Sequence, residues 1–241
     1  MDGFSASQWT DEEFVARYLR IADIQIMERQ TVKALLGSFY DRFLRGKGCV
    51  EALDLGCGCG PYAQVLLERD PEMRVTCLDA SEDMLTAARG LLADYEKVRF
   101  VRTTFEKMVE SGPEEQYDLI VSSLAIHHLP RDGKAMLNSW VLKALRPGGW
   151  FINIDTMLPP AGLEEWYIQL WKEWAERQAA SQGVEINVDE IIYGHHQVPA
   201  HHALLDAMPV QLRMLEQAGF KDVDCIHKHG IFAMLCGQRP L

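Results

Sequence analysis

The chain has 241 residues, of which 48% are hydrophobic, 24% charged and 9% aromatic. That composition fills the core of one ordinary domain with an insertion or cap, and excludes disordered and collagen-like classes. Twenty-four Lys and Arg stand against 35 Asp and Glu, a formal net charge of −11, which repels polyphosphate and makes nucleic acid an unfavoured partner.

Taken in chain order, residues 11–45 carry apolar side chains at helical spacing (Phe14, Tyr18, Ile21, then Val32, Leu35, Leu36, Phe39, Phe43) and predict two helices before the first strand. Thr10 with Glu13 three residues on reads as a capping box for the first of them. From Cys49 the pattern changes to short apolar runs at 50–55, 74–78, 98–102, 117–122 and 150–154, separated by helical stretches at 61–68, 81–92 and 133–145. This alternation predicts a parallel sheet with helices on both faces. Beyond Asp155 it lapses. There Leu163, Trp166, Tyr167, Leu170, Trp171 and Trp174 form an aromatic helix stripe, which reads either as core packing or as a lid over the open end of the sheet. A helix at 212–218, capped by Gly219, and two strands at 223–226 and 231–236 close the chain. The expected organisation is an N-terminal helical cap segment, 1–48, and a domain over 49–241 carrying a cap or lid insertion at about 158–205.

The six cysteines lie mostly in apolar or glycine-rich runs and read as reduced thiols. With no basic leader and no apolar stretch of bilayer length, the expectation is a cytoplasmic protein without a membrane partner.

The chemistry concentrates in Asp54-Leu55-Gly56-Cys57-Gly58-Cys59-Gly60, an apolar strand that ends in an acid and then glycines at every second position before a helix. Glycines there let backbone N–H groups approach a ligand closely, and the helix N-terminus favours an anionic group such as a carboxylate or phosphate. Pro61 after Gly60, and an acid at position 54, depart from a dinucleotide fingerprint and disfavour NAD. Asp79, 25 residues after Asp54, ends the second apolar run, where a carboxylate can accept both hydroxyls of a ribose.

These motifs, with Tyr117 to Ser123, Leu145-Arg146-Pro147-Gly148-Gly149 and Ala218-Gly219-Phe220, resemble those of the class I S-adenosylmethionine (SAM)-dependent methyltransferases from about Cys49 to Cys236. The resemblance implies an α/β, Rossmann-like doubly wound seven-stranded sheet of order 3-2-1-4-5-7-6 with an antiparallel last strand. It also implies SAM as cofactor, with S-adenosylhomocysteine (SAH) as product. It places Gly56, Cys57 and Gly58 along the methionine half, Asp54 near its amino group and sulfonium, and Asp79 on the ribose. Ala80 and Met84 would flank the adenine, and Ser122, Ser123 and Leu124 would lie beside the methionine tail. Thr104 and Phe105 stand where the family has an acid and a small or apolar residue near the adenine amino group. Tyr18 and Arg29 are candidates for the SAM carboxylate.

Methyl transfer needs a base near the methyl group, and His127, with His128 second, directly follows the fourth strand at the rim. The alternative is that these histidines only bond loop carbonyls. His195, His196, His201 and His202 form a second cluster that could bind a metal, but its proline-containing loop lacks fixed ligand spacing and reads as a polar hinge, so no metal is expected. The favoured function is a SAM-dependent methyltransferase acting on a small-molecule acceptor by in-line displacement. Acceptors of RNA or protein type are the second reading, and a SAM-binding protein without turnover, or one using SAM for another reaction, the third.

Overall fold

Strand residues one apart fall into different cores, which is how a period-2 chain buries both faces of a sheet. The computed structural model describes residues 9, 11–189, 191 and 202–241. Its strands are β1 (Glu51–Leu55), β2 (Arg74–Asp79), β3 (Val98–Arg102), β4 (Tyr117–Ser123), β5 (Leu145–Thr156), β6 (Lys221–His229) and β7 (Phe232–Gln238). They form one sheet in the order β3-β2-β1-β4-β5-β7-β6. The first five are parallel, and β7 runs antiparallel between β5 and β6. Ala52, Leu119 and Ile152 pack with α2 (Arg29–Phe43), α3 (Pro61–Arg69) and α4 (Glu82–Leu91) on one face. Their neighbours Leu53, Ile120 and Phe151 pack with α5 (Phe105–Ser111), α6 (Arg131–Ala144) and α8 (Met208–Ala218) on the other. The expected fold class and strand order are therefore present.

Local chemistry sets the element ends. Ser81 caps α4 by accepting from Met84 N, and Gly219 ends α8 in the left-handed conformation. Four sequence expectations need correction. The first helix, α1 (Glu12–Gln25), is capped by Asp11, whose carboxylate accepts from Phe14 N at 2.9 Å; Thr10 lies outside the described residues. Strand β5 starts at Leu145 rather than 150, since Leu145 already pairs with Tyr117 before the register shifts. The short helix α5 was not foreseen, because seven residues hold too few turns to show a period.

The fourth correction concerns α7 (Glu164–Gln182). Its buried seam is Ile168, Trp171, Ala175 and Ala179 rather than the full aromatic stripe. Trp166 is 56% and Leu163 40% exposed. The two alanines let α7 approach α1 at Ile24, and close approach fixed the rotation more strongly than aromatic area did. Trp171 donates from Nε1 to the Gln25 carbonyl at 2.7 Å, tying α7 to the end of α1.

The chain returns from the insertion at a buried ion pair. The fully buried Lys134 of α6 bonds Asp206 at 2.9 Å and the Leu204 carbonyl, while Arg131 holds the other Asp206 oxygen. Although burial alone raises a carboxyl pKa, these two cations outweigh it and lower that of Asp206. The same residue accepts from Leu158 N through its carbonyl, which fastens the segment after β5 to the segment before α8. Among the described residues no helix is long and apolar enough to cross a membrane.

Candidate active site

The glycine loop sits between β1 and α3, and its shape is fixed by bonds to β2. Gly56 N and Cys57 N both donate to the Leu78 carbonyl, at 2.8 and 2.9 Å. Gly58 N donates to Asp79 Oδ2 at 2.8 Å, and Ser81 N to Asp79 Oδ1 at 2.9 Å. The expectation that these N–H groups point at a ligand is thus corrected: three of them are spent inside the protein. What the loop offers is close approach. A Cβ on Gly56, at φ +72°, would stand 2.5 Å from Ala125 Cβ and 3.2 Å from the Phe105 ring. Gly56→Ala is therefore expected to destabilise the fold by about 2–4 kcal/mol, read as a lower urea midpoint at unchanged slope. A Cβ on Gly58 would meet only the Met84 sulfur, at 3.9 Å.

Asp54 replaces the ligand expected at the helix N-terminus. Its Oδ2 accepts from Ala63 N at 3.1 Å, in the first turn of α3. Its Oδ1 is buried without any hydrogen-bond partner. With the residue 1% exposed, burial pushes the carboxyl pKa up to about 7, Ala63 N–H opposes the shift, and the nearby Asp79 adds to it. Burial likewise raises Asp79, against the three backbone N–H groups around it.

The N-terminal helices bring Tyr18 and Arg29 to this loop. Arg29 is buried, holds Asp23 at 2.6 Å, and leaves Nε without a partner. It counteracts the burial-driven rise of the Tyr18, Cys59 and Tyr62 pKa values, which shows how closely these groups surround it. Tyr62 was missed by sequence reasoning because an aromatic one residue after Pro61 reads as helix packing. A buried carboxyl on β1 with an open oxygen and a buried cation on α2 with an open N–H therefore border one loop, at Cys59. They fit the ammonium and carboxylate of an amino-acid end group.

Other predicted residues are placed as follows. Ser122 is fully buried and donates to the Leu55 carbonyl at 2.7 Å, so its hydroxyl is spent within the sheet. Ser123 faces Tyr62. Leu124 adopts φ +50° and donates to the Ile154 carbonyl, turning the chain at the end of β4. Thr104 caps α5 by accepting from Lys107 N at 3.4 Å, which leaves Phe105 over Gly56. Ala80 accepts from Arg102 through its carbonyl, and Met84 is buried beside Gly58. Cys57 is buried, and its neighbour Cys77 together with burial raises its thiol pKa, the state of an inert filler.

At the end of β4 the chain makes a short 3₁₀ turn, Ile126–His128. His127 Nδ1 lies 2.5 Å from Asp155 Oδ1. The same carboxylate accepts from His127 N at 3.0 Å and from Thr156 N at 2.9 Å. An acceptor-only carboxylate on Nδ1 requires the proton there, which makes Nε2 the basic nitrogen. Asp155 was read only as a boundary, although an acid at the carboxyl end of a central strand was a usable signal. His128 stacks on His127 with ring centres 4.1 Å apart, and its Nε2 accepts from Trp9 Nε1 at 3.3 Å. That nitrogen is thereby taken up in a protein contact.

His127 borders a pocket lined also by Trp9, Tyr18, Ile26, Leu124, Trp171 and Phe232. In the second histidine cluster, His195, His196 and His201 lie outside the described residues, and His202 pairs with Glu164 at 2.9 Å. Among the described residues no group of three or more His, Cys, Asp or Glu is arranged to hold a metal.

Residues 53–151 match a family model described as a methyltransferase domain. Trans-aconitate 2-methyltransferase of Shigella flexneri is 29% identical over 166 residues, covering 64% of this chain and 63% of that protein. The homologue from Escherichia coli O7:K1 aligns with the same identity and coverage. The match thus spans less than two thirds of the length of these curated relatives. An O-methyltransferase family protein from Burkholderia thailandensis has the same fold, with TM-score 0.67 and 16% identity over 97% of this chain and 62% of its own. So does human N-acetylserotonin methyltransferase, solved with SAM, with TM-score 0.64 and 17% identity over 100% of this chain and 60% of its own. Residues 53–151 are thus similar to a methyltransferase domain, set within a sheet of order β3-β2-β1-β4-β5-β7-β6 shared with solved methyltransferases.

Proposed function

We propose that the protein transfers a methyl group from SAM to a small-molecule acceptor. The observation that carries this reading is the pair of buried open groups that border the glycine loop at Cys59, Asp54 Oδ1 from β1 and Arg29 Nε from α2, with an acid at the end of β2. Bound there, SAM supplies an electrophilic methyl group on a sulfonium that is already an activated leaving group. Asp54 would bind the ammonium, Arg29 with Tyr18 the carboxylate, and Asp79 the ribose. Gly56, Cys57 and Gly58 would allow close approach, with Leu124 and the backbone of Ser122 and Ser123 alongside. Ala80, Met84, Thr104 and Phe105 would border the adenine. His127, with Nδ1–H held by Asp155, would take the acceptor's proton at Nε2. His128, bonded to Trp9, would close the pocket rather than act as the base. The net charge of −11 favours a small acceptor over RNA.

Titration calorimetry with SAM, SAH and NAD tests the reading. One-site binding of SAM and SAH without NAD, after mass spectrometry has established that the stock is free of SAH, is the expected result. A folded, ligand-free protein that binds none of them would overturn it.

A further inference from the structure

We propose that the acceptor is an uncharged, flat aromatic molecule that presents a hydroxyl to His127. The inference rests on the methyltransferase reading and narrows it to a substrate class. The pocket beside His127 is lined by Trp9, Tyr18, Trp171 and Phe232. They form two edge-to-face pairs, Trp9 with Tyr18 at 5.1 Å and 85°, and Trp171 with Phe232 at 5.5 Å and 81°. Such walls receive a flat ring by its face or edge, as aromatic side chains receive one another. Among the described residues the polar members of the lining are Tyr18, Gln25, His127 and Thr156, with no lysine or arginine. Arg29, the buried cation near Tyr18, is bound to Asp23. A carboxylate brought into this lining would lose its water without gaining a cation, and would meet the negative Asp155 behind His127. The pocket therefore disfavours a tricarboxylate such as trans-aconitate, for which the curated relatives are named.

The base points to the same class. A phenolic hydroxyl, near ~10, gives up its proton to a base far more readily than an aliphatic one close to water's ~15.7. In the transfer, the hydroxyl proton passes to His127 Nε2 and the oxygen forms a bond to the methyl carbon. The carbon–sulfur bond breaks with its electron pair left on sulfur, giving neutral SAH. Asp155 offsets the imidazolium charge until the proton leaves to water.

The test uses three probes, 2-naphthol, cyclohexanol and trans-aconitate, on the full chain. With SAH bound, 2-naphthol is expected to quench the tryptophan fluorescence of the pocket saturably, and Trp9→Ala to weaken its binding at least fivefold while leaving SAH affinity unchanged. With SAM, 2-naphthol should yield SAH at least tenfold faster than either other probe. If SAH binds but 2-naphthol does not, or if trans-aconitate turns over faster, this inference fails while the cofactor reading stands. Failure to bind SAH at all overturns both.

Discussion

Replacing His127 by alanine is expected to lower kcat by about 10²- to 10⁴-fold, the usual worth of a positioned base, while SAH affinity stays within about threefold. The separation follows from geometry, since His127 lies on the pocket side of Leu124 and the glycine loop is held by Leu78 and Asp79. Asp155→Asn should lower kcat by about 10- to 100-fold through the imidazole. The three N–H groups on this carboxylate, from His127 N, His127 Nδ1 and Thr156 N, cover both oxygens. An amide must turn its NH₂ toward one side. Facing His127 N it meets one opposing donor; facing Nδ1 it also meets Thr156 N, and it moves the ring proton to Nε2 and abolishes the base. Steady-state kinetics with any accepted substrate decides the matter. A His127→Ala enzyme with full kcat would show that the histidine serves only the loop.

Asp54→Asn is expected to separate stability from binding. The native carboxyl titrates near 7 because burial opposes its charge, against an ordinary value of 3.8. A native pKa raised in this way contributes stability fully below about pH 4, and that contribution is lost as pH rises to 7. The loss amounts to about 4 kcal/mol at 1.36 kcal/mol per unit. Asparagine stays neutral, but exposes an NH₂ group to the unbonded Oδ1 position, at a cost of about 1–3 kcal/mol. The ligand-free variant should therefore be about 1–3 kcal/mol more stable than the parent at pH 8 and lose that advantage by pH 5, as read by urea unfolding. SAM and SAH affinity should fall by about 100-fold, because the ammonium loses its anion. In the parent protein, binding should release a proton below pH 7, so affinity should rise with pH up to that point and then level off. Equal stability changes at both pH values would place the Asp54 charge outside the balance.

Both experiments bear on groups that the sequence identified unequally. Asp54 was legible because an acid between an apolar run and a glycine loop has few purely structural explanations. Asp79 was legible from its position at the end of the next run. Asp155 was not, since its role depends on β4 and β5 lying side by side, which brings it to His127 across 28 residues of chain. Tyr62 and Trp9 were silent for the same reason: an aromatic residue near a helix end has many uses until its neighbours are known. The sequence did not show that the N–H groups of Gly56, Cys57 and Gly58 are consumed within the protein, because the Leu78 carbonyl and Asp79 that accept them belong to another strand.

The sequence by itself determined the sheet and its order, since apolar runs of strand length alternating with helix-length stretches leave few right-handed parallel arrangements, and the family motifs select one. It also determined which loop carries the glycines and which strand ends carry acids. Only the tertiary structure decided the face of α7, where Trp171 is buried in line with Ala175 and Ala179 while Trp166 is left exposed. It alone decided which histidine is aligned, because a 3₁₀ turn directs His127 to Asp155 and His128 to Trp9. Local periodicity fixes what a segment becomes, whereas charge pairing and close approach between distant segments fix what it can do.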